Sequence, residues 1–311
     1  MFLIFLSKRP LSASRRGFVL VSVLMLGVVF ISCATAFAWF VRQQIKGTLR
    51  EKSALEYRSM AQVLTQSICS GLKSNTVTKH DSLLQEWFKP FFFPTEDLGL
   101  WVVQVTPLDD KIPLRGIFLP DGNTLRNELR NAWEKLWEQL GKRNLGPLVL
   151  DFMDKDKRPQ MGGGAERDTH IDRYPLDMSE FLILDEMTPE ILNGGEGTLG
   201  MADYCTLWSS GKINLNVAPV HVMAILPGLN ETLAENIDNY RRSRQLRDMA
   251  DLRKVQGFPA KASSTLMNLA AFNSRYFKVH IEILNNSGES GKRFDAVIDK
   301  TAGQIVRWEE I

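Results

Sequence analysis

The 311-residue sequence is short of the residue types from which most catalytic and metal centres are built. It has three cysteines and four histidines. Cys33, Cys69 and Cys205 form no C-x-x-C pair, which excludes the common zinc and dithiol motifs. His80, His170, His221 and His280 show no metal-ligand spacing. There is no G-x-S-x-G, and Gly162-Gly163-Gly164 lacks the Lys-Ser/Thr that would make a phosphate loop. A non-enzymatic protein is expected. A net charge of only +2 gives no lead towards nucleic acid. Otherwise the composition, 24% charged and 44% hydrophobic, is that of a folded chain with room for two or three structural units. Cys69 and Cys205 lie outside the apolar run that holds Cys33. They pair as a disulfide in an extracytoplasmic body or stay as two unpaired thiols, and spacing does not choose.

What the sequence does have is a long uncharged run, GFVLVSVLMLGVVFISCATAFAWFV, residues 17–41. As a helix it would be about 37 Å long, enough to cross a hydrocarbon core of about 30 Å with some tilt. Lys8, Arg9, Arg15 and Arg16 precede it, which puts the N-terminus in the cytoplasm and the body outside. Ala36-Phe37-Ala38 has the look of a signal-peptidase site and Phe30–Cys33 of a poor lipoprotein box. The run continues past both, and Ile45, Leu49, Met60, Val63, Leu64, Ile68 and Leu72 carry a helical pattern on to about residue 73.

Further along, WFKPFFFP (87–94) reads as core covered by a loop, with a membrane- or partner-facing patch as the alternative. Leu100–Val105 reads as a strand, Pro107–Asp110 as a turn, and the next residues as a second strand. A helix is expected to open after Asp121 or Asn123, with Leu125, Leu129, Trp133, Leu136, Trp137 and Leu140 on one face and Gly141 as its stop. Residues 148–172 gather Asp151, Asp154, Asp156, Glu166, Asp168 and Asp172 around the three glycines. Such acids offer hard oxygen ligands to calcium, though not at EF-hand spacing, and the plainer reading is a solvated loop. Thr188-Pro189-Glu190 starts a helix that Asn193-Gly194 stops. Residues 212–246 read as a short strand, a helix from Pro219, a tight turn at Pro227-Gly228 and a helix over Thr232–Tyr240. A further helical pair follows at 248–272, then three antiparallel strands at about 276–284, 293–299 and 304–309.

Two resemblances arise from these residues. The basic leader ending at Gly17, then Phe18 and an apolar helix running into an amphipathic one, resembles the type IV prepilins and pseudopilins. That resemblance implies cleavage after Gly17 by a prepilin peptidase and methylation of Phe18. Most such proteins carry glutamate at the fifth residue after the cut, where its carboxylate pairs with a neighbour's terminal amine. Here the position is Ser22, which suits a subunit at an end of a fibre. The Pro227-Gly228 unit resembles helix–hairpin–helix elements, including those of membrane-anchored DNA receptors of competence systems. Asn230 replaces the second hairpin glycine, Glu231 follows it, and Gln256-Gly257-Phe258-Pro259 also lacks that glycine. Arg241, Arg242, Arg244 and Arg247 read as a solvated helix face diluted by Asp238 and Asp248, so nucleic-acid binding is disfavoured.

The chain as a whole resembles the general secretion pathway protein K family, the minor pseudopilins of type II secretion. The match lies in the leader with Ser22, Gly164-Ala165-Glu166 in the acidic loop, Ile213-Asn214-Leu215-Asn216 with Ala218-Pro219, the Leu226-Pro227-Gly228 turn and the closing strands. Val217 and Lys111-Ile112-Pro113-Leu114 depart from the pattern. The resemblance implies an α+β fold in which a pilin-like transmembrane helix and antiparallel sheet are interrupted by a large helical insertion containing the hairpin unit. The corresponding parts are a leader (1–17), a transmembrane helix (18–41), an amphipathic extension with the first strands (42–118), the insertion (119–274) and the closing strands (275–311). It also implies a single-pass protein of the bacterial inner membrane with a periplasmic body, placed at the tip of the pseudopilus. Its implied partners are the I- and J-type minor pseudopilins, the prepilin peptidase, the major pseudopilin and secreted cargo. Calcium is the one cofactor implied.

Overall fold

The computed structural model describes residues 13–74, 80–82, 84–95, 99–259, 264–284 and 290–311, and gives the backbone only at 13–20, 49, 50 and 290. The chain divides into two compact units, Met1–Met60 and Ala61–Ile311.

The first unit is the greater part of α1 (Ala13–Ser74). No proline interrupts it, and Ser32, Thr35 and Thr48 return their hydroxyls to carbonyls one turn back, so their polar groups do not compete with the helix. Val21, Leu24, Met25, Val28, Phe30, Ile31, Phe37 and Trp39 are all exposed, on every side of the helix. A helix apolar all round needs an apolar solvent. This is the one helix among the described residues long and apolar enough to span a membrane.

The second unit opens with the last turns of α1, where Ala61, Thr65, Cys69 and Leu72 form one buried face at helical spacing. It continues with β1 (Phe91–Thr95), β2 (Gly99–Pro107), β3 (Ile112–Pro113), α2 (Asn127–Gln139), α3 (Leu145–Met153), α4 (Pro189–Asn193), α5 (Met201–Tyr204), β4 (Cys205–Thr206), β5 (Ile213–Asn214), α6 (Val220–Ile225), α7 (Glu231–Ser243), α8 (Met249–Leu252), α9 (Ser264–Leu269), β6 (Ala270–Ala271), β7 (Tyr276–Leu284), β8 (Ser290–Asp299) and β9 (Gln304–Glu310).

The main sheet has the order β1-β2-β7-β8-β9 and is antiparallel throughout. Strict alternation in β7 turns Phe277, Val279, Ile281 and Ile283 to one face, opposite Pro107, Val105, Val103 and Trp101 of β2. Everything between β2 and β7 is the insertion. It has its own apolar core, from Ile112 to Ala270, built on Trp133, Trp137, Phe152, Phe181, Leu215 and Ile237.

A buried carboxylate joins the insertion to the sheet. Asp109, fully buried just past β2, accepts from Ser209 Oγ (3.0 Å) and the Ser210 amide (2.5 Å) on Oδ1, and from the Arg275 and Tyr276 amides (2.7 and 3.0 Å) on Oδ2. Four donors from two distant stretches converge on it. Asn214 and Asn216 extend the clamp. The Asn214 side chain donates to Ser274 Oγ (2.9 Å), and Asn216 donates to the Leu246 carbonyl (2.7 Å) while accepting from the Leu246 amide (2.9 Å).

Three expectations change, and a choice left open by the sequence is settled. Phe91 and Phe92 are exposed on edge strand β1 rather than core under a loop; within the cluster Phe88 is buried and stacks on Phe277. The residues after Asp110 do not form a hairpin with β2. Ile112-Pro113 instead pairs in parallel with Cys205-Thr206, because Pro113 has no amide for a regular ladder. The expected helix starts at Asn127, since Asp121 spends its carboxylate on the amides of Asn123 and Thr124 (both 3.0 Å) in a turn closed by a Phe118–Leu125 bridge. Cys69 and Cys205 are both unpaired and buried.

Candidate functional site

The helix–hairpin–helix region is built as the sequence suggests. Pro219 leads into α6, Leu226 closes it, and Gly228 (φ +80°) makes the turn that a residue with a Cβ would strain. Asn230, where a second glycine would allow close phosphate approach, is the N-cap of α7; its Oδ1 accepts from the Leu233 amide (2.9 Å). The residue that departs from the hairpin pattern is thus occupied in starting a helix. Gly257 (φ +77°) makes a turn after the short helix α8.

The basic group is not one solvated face. Arg241 is buried: its Nε donates to Asp238 Oδ1 (2.8 Å) and its Nη1 to the carbonyls of Leu215 and Ala218 (2.8 and 2.7 Å). Arg242 takes the other oxygen of Asp238 (2.8 Å). Burial works against the Asp238 anion, but the two arginine bonds hold its carboxyl below the usual range. Arg241 therefore ties α7 to the Asn214–Asn216 segment and is withdrawn from any phosphate. Arg244 and Arg247 are exposed.

The acidic loop divides into a buried pocket and a rim. Asp151 and Asp154, at the end of α3, are fully buried. The loop folds back over them: the Gln160 amide donates to Asp151 Oδ1 (2.8 Å) and the Gln160 side chain to Asp154 Oδ2 (2.8 Å). The three glycines serve this turn. Gly162 and Gly163 sit at positive φ, and a Cβ on Gly164 would run into Asp151 Oδ2 and the Gln160 backbone. One oxygen on each acid is left without a partner: Asp151 Oδ2, Asp154 Oδ1 and, beside them, Glu166 Oε1. His170, unremarkable in the sequence, is buried against Phe152 with neither ring nitrogen bonded, its Nδ1 3.7 Å from Glu166. Burial is the main cause that raises all three carboxyls, Asp154 to about 7, and their mutual repulsion adds to it. Asp156 and Asp172 add charge from the rim, and Asp168 is exposed.

Unpartnered buried oxygens on mutually repelling acids are the donors a hard cation takes, so the residues present suit calcium in kind. Among the described residues no three acidic, histidine or cysteine side chains already converge on one point. A cation would draw them together and complete its shell with carbonyls and water.

At the other end of the chain, Gly17 and Phe18 lie within α1 where only the backbone is described, and residues 1–12 of the expected leader fall outside the described residues. Ser22 is half-buried in the same helix.

Residues 209–269 match the family model described as a helix-hairpin-helix motif. No curated protein matches the sequence. Among solved structures, a chain in the crystal structure of the GspK-GspI-GspJ complex from the enterotoxigenic Escherichia coli type 2 secretion system superimposes with a TM-score of 0.65 at 16% identity. The likeness covers 86% of this chain and 99% of that one. The chain therefore has a GspK-like α+β fold, with the helix-hairpin-helix match falling in its helical part.

Proposed function

We propose that the chain is a minor pseudopilin of the K type, working at the tip of a type II secretion pseudopilus, where it nucleates or caps the fibre and assists protein export. The likeness over nearly the whole of the solved chain carries this reading, together with the exposed apolar helix at the N-terminus. The solved chain is part of a complex of GspK, GspI and GspJ; the partners proposed here are the corresponding I- and J-type subunits, with the major pseudopilin and secreted cargo as further contacts. A prepilin peptidase cuts after Gly17 and leaves a methylated Phe18. The helix sits in the bacterial inner membrane with its N-terminus cytoplasmic and the body periplasmic, as the basic leader favours. Ser22 offers no carboxylate to a neighbour's amine, which suits a subunit with nothing above it.

The insertion is the working surface and the chain does no chemistry of its own. Calcium held by Asp151, Asp154 and Glu166 neutralises their repulsion and fixes the Gly162–Gly164 turn. The decisive measurement is the intact mass of the protein after co-expression with a prepilin peptidase. The expected product lacks residues 1–17 and carries one methyl group on Phe18. An intact leader overturns the pseudopilin reading.

A further inference from the structure

Three of the four histidines spend a ring nitrogen on a neighbour. His80 Nε2 lies 2.6 Å from Gln245 Oε1, His221 Nε2 3.1 Å from the Asp203 carbonyl, and His280 Nδ1 2.5 Å from Asp295 Oδ1. His170 differs. Both of its ring nitrogens are buried with no hydrogen-bond partner among the described residues, and its side chain is 0% exposed. A neutral imidazole carries one N–H and one lone pair, so this burial leaves a donor and an acceptor unmet together.

Backbone bonds fix where the ring sits. The His170 amide donates to the Arg167 carbonyl (3.0 Å), and the Ile171 amide donates to the Phe152 carbonyl (3.2 Å). These seat the ring edge-on to Phe152, near the end of α3 from which Asp151 and Asp154 project. The ring is near enough to act on the Asp151 carboxyl. Its Nδ1 stands 3.7 Å from Glu166. That separation is too long for a hydrogen bond. It is close to the roughly 3.3 Å between two donors that each lie about 2.0 Å from a tetrahedral ion.

The unmet groups gathered here are Asp151 Oδ2, Asp154 Oδ1, Glu166 Oε1 and the His170 ring. Calcium surrounds itself with about six to eight oxygens and leaves a ring nitrogen aside. A tetrahedral zinc site takes imidazole and carboxylate together. Three oxygens and one nitrogen fill it, so the number and the kind of donor both favour zinc.

We propose that His170 is a ligand of the cation held at Asp151, Asp154 and Glu166, and that it gives zinc an advantage over calcium there. The inference rests on the reading of this cluster as a cation site.

The experiment uses the full chain in detergent micelles, stripped with EDTA, dialysed and titrated with zinc or calcium by calorimetry. Zinc should bind at least tenfold more tightly than calcium. In His170→Phe and His170→Gln zinc affinity should fall at least tenfold, while calcium affinity should fall less than threefold. Nitrogen-15 NMR of the histidine rings, with His170 identified through the variants, reads ligation directly. One ring nitrogen of His170 should shift with zinc and stay in place with calcium. Unchanged circular dichroism shows that a variant is folded, and if one misfolds the other carries the test. A His170 ring that zinc leaves unmoved, or zinc affinity equal in wild type and variants, overturns the proposal. If calcium binds and zinc gains nothing from His170, this inference alone fails. If neither ion binds, the cation reading of the cluster fails with it.

Discussion

The insertion holds two buried clusters of polar side chains, and they are built in opposite ways. Around Asp109 each oxygen of a single carboxylate accepts two bonds, and Asn214 and Asn216 continue the network. Around Asp151, Asp154 and Glu166 three acids stand together, each with an oxygen that nothing fills. A filled cluster strengthens and orients what surrounds it, while an open one costs the fold energy for each oxygen left without a donor.

Substitution can break this contrast. The largest effect is expected from Asp109→Ala, which strands two backbone amides at the start of β7 and the Ser209-Ser210 donors. A loss of about 4 kcal/mol in denaturant unfolding is expected. A wild-type midpoint would mean that the clamp does not hold the insertion to the sheet. Arg241→Ala should cost about 3 kcal/mol by the same measurement, since it leaves the Leu215 and Ala218 carbonyls and part of Asp238 unpaired.

The open cluster should behave in the reverse sense and more weakly. Asp154 has its folded pKa raised to about 7, chiefly by burial, against 3.8 ordinarily, so the folded chain holds an extra proton between those values. Its contribution is full below about pH 4 and is lost as pH rises through about 7. In EDTA the wild type should therefore be less stable at pH 8 than at pH 5. Asp154→Asn should flatten that slope and gain about 1–2 kcal/mol at pH 8. Adding calcium should raise the wild-type melting temperature and leave the variant unmoved. If Asp154→Asn costs as much as Asp109→Ala, the two clusters are of one kind.

Much of the fold was legible because its signals are local. The expected strands at 276–284, 293–299 and 304–309 fall on β7, β8 and β9, since apolar and polar residues that alternate over such a length fit a sheet with one buried face and no helix. Thr188 caps α4 as its sequence context implies, its hydroxyl accepting from the Ile191 amide. What escaped depends on residues far apart in the chain. Arg241 looks like any basic residue until Leu215 and Ala218 are brought beneath it. His170 gains meaning only from Glu166 beside it. At Phe91–Phe93 hydrophobicity misled, because Pro94 in the same strand was the better guide: a strand with proline belongs at an edge. The acidic loop was visible as a candidate, yet only the fold separates its buried acids from those on the rim.

The position of the insertion also sets an order of events. Pro107 lies opposite Phe277, so the centre of the sheet joins strands separated by residues 108–275. A chain emerging from the ribosome completes β1 and β2 long before β7 exists, and until then β2 lacks its central partner strand. The helical core draws on no hydrophobic residue after Phe272, so it can form in the interval. Once formed, it carries Ser209 and Ser210 to Asp109 and shortens the loop that remains to be closed. Pulse-labelled hydrogen exchange should accordingly protect amides of α2 and α7 before those of β7. That order would make the insertion a folding scaffold for the sheet, which then closes last.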